Sequence, residues 1–425
     1  MLKLLLLIFL MFSSLYSSDF SLIKKETSKK DPTLLVIGGI HGNEPGAYYA
    51  AEILAQNYDI SKGNLWIIPN LNRESIMKNQ RGTHGDMNRK FSNISTKDQD
   101  YTVVTEVKNI IKDPKVSLIL NLHDGHGFYR QKYQNTIFNP QSWGQTCVID
   151  QFEMQDCRFG DLGQIATKVS HDLNKKLLKN HHAFNVRNTK TKYFDEAMQL
   201  SLTYFSVTNN KPAFAIESSK NLSKLSEKVY YQLHAIESFM KIMNIKFSRN
   251  FTLTPKSLQK IIEKRGSVVI NDNIILPLEH IKSYLSYIPL KSSNNTFKFS
   301  NHLGSMRKRG SEYFIFIGSK KIVALKPQIF ELDTCKDVLI NVDGSIQKHH
   351  VGEEFNVNEV FKVLVNTDIR VNVIGFAAKQ KNERNLEVHK SKMQHRYAMD
   401  KKYKSYRVEL YKKKKFCGLL IATFK

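Results

Sequence analysis

Four short stretches of this chain carry residue types that do chemistry rather than packing. The first is GGIHGNEPG, in which His41 and Glu44 stand three residues apart on a glycine-rich turn behind the apolar run LLVI. A neutral imidazole and a carboxylate are both ligands for a divalent metal, at about 2.0–2.2 Å from zinc. Gly38, Gly39 and Gly42 let the backbone turn sharply and approach a ligand closely. The second is LILNLHDGHG, where His123 follows another apolar run. Together the three residues make a His₂Glu set, which leaves a coordination position open. The third is PAFAIESSK. Glu217 follows a run of apolar residues, an expensive place for a charge and a good one for a general base. Asp124, next to His123, competes for that role, but its position suits orienting the loop. The fourth is QRGTHGDMNRKFSN. Arg81, Asn88 and Arg89 cluster there without apolar neighbours, and guanidinium and amide donors together suit a free carboxylate.

These residues need a frame that brings them together. From residue 33 the pattern alternates buried strands with helices. TLLVIGG, NLWIIPNLN, VSLILNLH and PAFAIES read as strands. EPGAYYAAEILAQN, with Pro45 in its first turn, TVVTEVKNIIK, GDLGQIATKVSHDLNKKLLK and SEKVYYQLHAIESFMKIMNI read as helices. Continuous apolar strands between helices imply an α/β sheet covered on both faces, mixed or mostly parallel. In such sheets ligands bind beyond the carboxyl ends of the strands, where His41, His123 and Glu217 fall. After about residue 250 the texture changes to short β-like runs punctuated by Asn, Ser and Gly, which predicts two small β domains. The expected units are a leader over 1–18, an α/β domain over 19–247, a small β domain over 248–330 and a β-sandwich of immunoglobulin type over 331–425.

The 425 residues carry 64 Lys plus Arg against 39 Asp plus Glu, a net charge of +25. That balance favours anionic partners, with a lysine-rich lineage as the plain alternative. No segment carries a nucleic-acid-binding motif. MLKLLLLIFLMFSSLYSS has the charge, apolar run and small residues of a secretory signal, with cleavage near Ser17 or Ser18. No other stretch is long and apolar enough to span a bilayer. Export to the periplasm points the basic surface toward an envelope polymer rather than nucleic acid. Export also permits disulfides. Cys147 and Cys157 can close a short loop worth roughly 2–3 kcal/mol, free thiols being the alternative, and Cys335 and Cys417 remain open.

The order of these motifs, His41 and Glu44, then Asn88 and Arg89, then His123, then Glu217, resembles the zinc metallocarboxypeptidases of the carboxypeptidase A type over residues 33 to 245. The resemblance implies a Zn²⁺ site at His41, Glu44 and His123, Glu217 as general base, Arg81 polarising the scissile carbonyl, and Asn88 and Arg89 on the substrate carboxylate. The family places a tyrosine above the scissile bond; Tyr193 and Tyr204 are within sequence reach. The whole layout, with NLHDG, IESSK and two terminal β domains, is similar to the periplasmic DL-carboxypeptidases of helical bacteria. These trim peptidoglycan tripeptides to dipeptides and set cell curvature. Members of that group can carry Gln at the first metal position, so His41 moves this chain toward the ordinary zinc set. The implied leaving residue, meso-diaminopimelate, has a second amino-acid head, for which Arg130 and His126 are further contacts. Neither His84 nor His126 is taken as a ligand. Muropeptides are the implied substrates, and the β domains are candidate docking sites for wall proteins. GIHGNEPG also resembles the desuccinylase and aspartoacylase deacylases, which are usually cytoplasmic. A wall-binding protein with a decayed site is the third reading.

Overall fold

The computed structural model describes residues 20–335, 337–376, 378 and 382–425; the expected leader lies outside them. A mixed seven-stranded sheet forms the frame. Its strands run, in spatial order, Ile23–Glu26, Asn64–Ile68, Thr33–Ile37, Val116–Gly125, Ala213–Ser219, Thr146–Ile149 and Asn185–Asn188. The four central members are parallel to one another. Their residues are almost all buried, as expected of strands sandwiched between helices. The helices Pro45–Asn57, Tyr101–Lys112, Leu162–Asn174 and Leu225–Ile242 cover the two faces.

Two strands run further than their apolar stretches. Pairing between Val116–Gly125 and Ala213–Ser219 continues through Glu217↔His123, Ser218↔Asp124 and Ser219↔Gly125. His123 and Glu217 are therefore fixed side by side by the ladder itself, not perched on loops after it. The helix expected over 160–179 is shorter, Leu162–Asn174. It stops where the Asn174 side chain leaves the helical pattern to exchange hydrogen bonds with the backbone of Phe184, at 2.7 and 3.0 Å.

The boundary expected at 247 falls inside the first unit. Strand Lys246–Arg249 pairs with Tyr58–Lys62, and helix Pro255–Glu263 puts Leu258 into the first core. That helix was not anticipated, although Thr254 caps it by accepting from the Ser257 N–H, with Pro255 in its first turn. Beyond it lie a three-stranded and a four-stranded sheet with their own apolar cluster. Two further four-stranded sheets then face each other around a third cluster. Strand Lys415–Phe424 is apolar on both sides because it serves two cores. Cys417, Leu420, Ala422 and Phe424 face the sandwich interior, whereas Phe416, Leu419 and Ile421 face the middle module.

The middle module is also tied to the first unit. Tyr48, on the Pro45–Asn57 helix, and Ile76 belong to the middle cluster. Glu52 of the same helix accepts from the His302 backbone N–H at 3.0 Å and faces its Nδ1 at 2.9 Å.

The disulfide joins Cys335 to Cys417 across a separation of 82 residues. The Cys147–Cys157 staple does not form: both thiols are free, Cys147 being buried on a sheet strand. A loop that long makes the observed bridge worth roughly 4 kcal/mol by chain entropy. Cys335→Ala/Cys417→Ala is expected to lower the unfolding free energy of the C-terminal sandwich by that order, and dithiothreitol to reproduce the loss in the wild type, both read by urea titration. Burial, and then the charges of Lys176 and Arg249, pull the His234 imidazole down to about 3. Above pH about 6.5 both folded and unfolded forms are neutral. Below it the unfolded chain gains a proton that the folded chain refuses, so stability falls until about pH 3. His234→Gln is expected to flatten that acid limb in chemical denaturation at pH 7, 5 and 4.

Candidate metal centre and its cleft

Strand Thr33–Ile37 ends on the left-handed Gly39 and enters the turn that carries His41 and Glu44. The turn is pressed against the next segment. A Cβ on Gly42 would lie 2.0 Å from the Ser75 carbonyl group, and one on Gly46 would lie 2.4 Å from the Asp124 carboxylate. Nothing larger than hydrogen fits at either position. Asp124 accepts from the Gly46 N–H at 2.8 Å and from the Ser218 hydroxyl. It thus clamps the Glu44 turn to the two central strands, the orienting role its position suggested. Burial, outweighing the pull of Lys228 and of the Ser218 hydroxyl, pushes its carboxyl up to about 6.

His41, Glu44 and His123 converge, all buried, with one donor atom from each within 4.8 Å of the others. His41 Nδ1 lies 3.1 Å from one Glu44 oxygen and His123 Nδ1 lies 2.9 Å from the other. The same ring nitrogen of both imidazoles therefore points at one place. Asp86 lies 2.8 Å from His41 Nε2. A carboxylate there holds the proton on Nε2 and leaves the Nδ1 lone pair free for a metal. Two imidazole lone pairs and a carboxylate around one buried point fit a divalent ion of the zinc type. Burial opposes ionisation of Glu44, but the two imidazoles facing it hold its carboxyl well below the usual range. Burial likewise opposes protonation of His41, and the Glu44 and Asp86 carboxylates reverse the balance upward. For His123 burial wins, and its imidazole is held down.

The three residues line one cleft with Arg81, Asn88, Arg89, His126 and Glu217. Glu217 is nearly buried. Burial first, and then the negative charges of Glu44 and Asp124, raise its carboxyl well above the usual range. Arg81 reaches Asp86 at 2.9 Å and Glu44 at 3.5 Å while remaining half exposed. Asn88 uses its Oδ1 to accept from the Leu202 N–H at 3.0 Å, so its amide nitrogen is the end left to donate. Arg89 folds back onto the Asn88 carbonyl at 2.9 Å.

Arg130 is not brought to this cleft. Its guanidinium donates to the carbonyls of Tyr129, Ala183 and His181, which makes it a loop tie. Tyr193 is exposed on the short helix Thr191–Phe194, and neither it nor Tyr204 lines the cleft. Residues that the motifs did not single out also line it. Lys220 stands 3.5 Å from Glu44, and Trp143, Met198 and Thr203 form a wall. The Arg187 guanidinium stacks on the Trp143 ring at 3.8 Å. Asp86 was legible as the aspartate of GDMNR; Trp143 and Met198 had no local signal, because only the fold carries them there.

Residues 1–263 match the family described as the catalytic part of carboxypeptidases controlling helical cell shape. The chain belongs to this family. Residues 332–425 match a second description, the C-terminal domain of metallo-carboxypeptidases. Among solved structures, the apo form of the cell shape determinant protein Csd4 from Helicobacter pylori aligns at TM-score 0.91 with 32% identity, over 96% of this chain and all of that one. The tripeptide-bound form of the same protein aligns at 0.90 with 32% identity over 96% and 100%. Its mDAP-bound form, described as a D,L-carboxypeptidase, aligns at 0.90 with 32% identity over 95% and 100%. No curated relative matches the chain. In this family of cell-shape carboxypeptidases, His41, Glu44 and His123 make a cluster that could hold a metal ion.

Binding of Zn²⁺ at a hundred times its dissociation constant is expected to stabilise the fold by about 2.7 kcal/mol, read as a rise in melting temperature that His123→Ala abolishes. Asp86→Ala is expected to weaken zinc binding by about 10–100-fold, measured by competition with a chromophoric chelator.

Proposed function

We propose that the protein is a zinc-loaded peptidoglycan D,L-carboxypeptidase of the periplasm, exported by its first 18 residues. It removes meso-diaminopimelate from uncrosslinked stem tripeptides, leaves dipeptides, and so shapes the cell. One observation carries the reading. The buried His₂Glu cluster shares its cleft with an uncommitted carboxyl group and a set of carboxylate-binding donors, in a chain that belongs to a cell-shape carboxypeptidase family.

His41, Glu44 and His123 hold the ion, which when bound supplies Lewis acidity and lowers the pKa of a coordinated water. The chain's own residues do the rest. Asn88 and Arg89 grip the terminal carboxylate of the peptide and admit only chains that end there. Arg81 swings from Asp86 to the scissile carbonyl and donates to the oxygen as negative charge develops on it. Glu217, kept basic by its surroundings, takes up the water's proton and delivers it to the departing amine. The new C–O bond forms first, and the peptide C–N bond breaks once the nitrogen has received that proton. His126 and Lys220 at the rim face the second amino-acid head of the leaving residue. Trp143 and Met198 exclude water beside the reacting bond. Among the described residues no helix is long and apolar enough to cross a membrane. The two β modules offer surfaces for wall proteins.

Incubation of the metal-loaded protein with intact muropeptides is expected to convert tripeptide to dipeptide species, with a mass loss equal to one diaminopimelate residue. Glu217→Gln is expected to lower kcat by about 10²–10⁴-fold with zinc content intact. Hydrolysis of N-acyl amino acids in place of muropeptides would instead identify a deacylase.

A further inference from the structure

A second cleft, of about 240 Å³, opens between the middle module and the C-terminal sandwich, far along the chain from the metal residues. Its floor is charged and buried. Arg407 and Glu409 are 5% and 2% exposed on the strand Ser405–Lys412. Glu409 Oε2 accepts from the Tyr411 hydroxyl at 2.7 Å. Its Oε1, 3.4 Å from Arg407 Nε, has no hydrogen-bond donor. Arg407 and Glu409 both line the cleft and face each other as an ion pair beneath it.

The rim is aromatic. Tyr284, Tyr287 and Tyr397 all line the cleft and are 45%, 61% and 44% exposed. Tyr287 is held at φ +58°, a conformation that a bulky residue adopts only under constraint. It lies where the pairing of Tyr284–Leu290 with Lys320–Ile329 shifts register, between Leu285 and Ile288, and such irregularities re-aim side chains. The constraint is visible. Arg407 donates to the carbonyls of Ser286 and Tyr287, each at 3.2 Å. The buried guanidinium thus props an exposed ring over the cleft.

Flat exposed rings above a charged, polar floor match the two kinds of surface of a sugar ring: C–H groups on the face, hydroxyl and amide groups at the edge. The volume lies below that of drug-sized pockets and suits one such ring. A peptide adding to the Tyr284–Leu290 edge would need the carbonyls that Arg407 already occupies. Arg396, whose guanidinium lies 4.7 Å from the Tyr397 ring centre, adds a positive group at the rim for a carboxylate-bearing glycan. We propose that this cleft is a second, non-catalytic binding site for an N-acetylated, carboxylate-bearing sugar of the wall glycan. It anchors the polymer while its peptide stem is trimmed at the metal centre. The choice of wall glycan rests on the proposed function.

The test uses the mature full-length protein and two probes, glycan strands stripped of stem peptides and a synthetic stem tripeptide. Calorimetry is expected to show binding of the stripped glycan by the wild type. Tyr287→Ala/Tyr397→Ala is expected to weaken it by about tenfold, the loss of two ring faces, with kcat/KM on the free tripeptide unchanged. Glu409→Gln is expected to weaken it as well; if that buried substitution impairs folding, the surface double variant still decides. Absence of glycan binding in the wild type, equal binding by the double variant, or retention of an envelope polypeptide in place of glycan overturns the proposal. Glycan binding that depends on Tyr287 and Tyr397 in a protein that leaves the tripeptide intact supports this site and refutes the catalytic reading alone.

Discussion

A carboxylate taken almost wholly out of water is the constraint around which the catalytic unit is built. Glu44 is 3% exposed, and an unpaired charge at that depth would cost several kcal/mol. The structure answers by aiming cationic or donating groups at it from four segments: His41, Arg81, His123 with the Asp124 backbone N–H at 3.2 Å, and Lys220. Such an arrangement is a ready seat for a divalent ion. It also sets the character of its neighbour. Because Glu44 keeps its charge, Glu217 feels it across the cleft and is the more basic for it. One acid is held ionised and the other is pushed toward its protonated form, a difference set entirely by surroundings.

The parallel centre of the sheet makes this arrangement rigid. Thr33–Ile37, Val116–Gly125 and Ala213–Ser219 lie side by side in register, so His123 and Glu217 are one ladder spacing apart and the turn carrying His41 and Glu44 leaves the neighbouring strand. Gln232, from the helix behind, donates to the His123 carbonyl at 2.6 Å and the Ile216 carbonyl at 3.2 Å, pinning the two strands where the ligand and the acid project. Sites carried on strands are held more closely than sites carried on loops.

The convergence of His41, Glu44 and His123 was readable in the sequence because the apolar runs before them end at one edge of an open sheet. His41, Glu44, His123 and Glu217 needed nothing more. Asn88 and Arg89 were found by composition, and the structure sets both beside the ligands in the cleft. Arg130 was misplaced because its type suited a carboxylate, while nothing local revealed the three carbonyls waiting for it. The helix Pro255–Glu263 was absorbed into a β-like region although its cap was plain, since neighbouring runs set the texture. Trp143 and Arg187 were invisible: their roles come from strands paired across long sequence separations. The cysteines show the same limit. Nearness in sequence suggested Cys147 and Cys157, but Cys147 is buried on a sheet strand, and it is the more distant pair that the sandwich brings together.

The helix Pro45–Asn57 has a further consequence. It begins next to Glu44, sends Tyr48 into the middle module's interior, and ends its reach at His302 through Glu52. A chain cut after residue 263 would leave a tyrosine and a carboxylate stranded on the very rod that begins beside Glu44, and Ile76 stranded on the helix next to it. The later modules are therefore keystones rather than appendages of the catalytic unit.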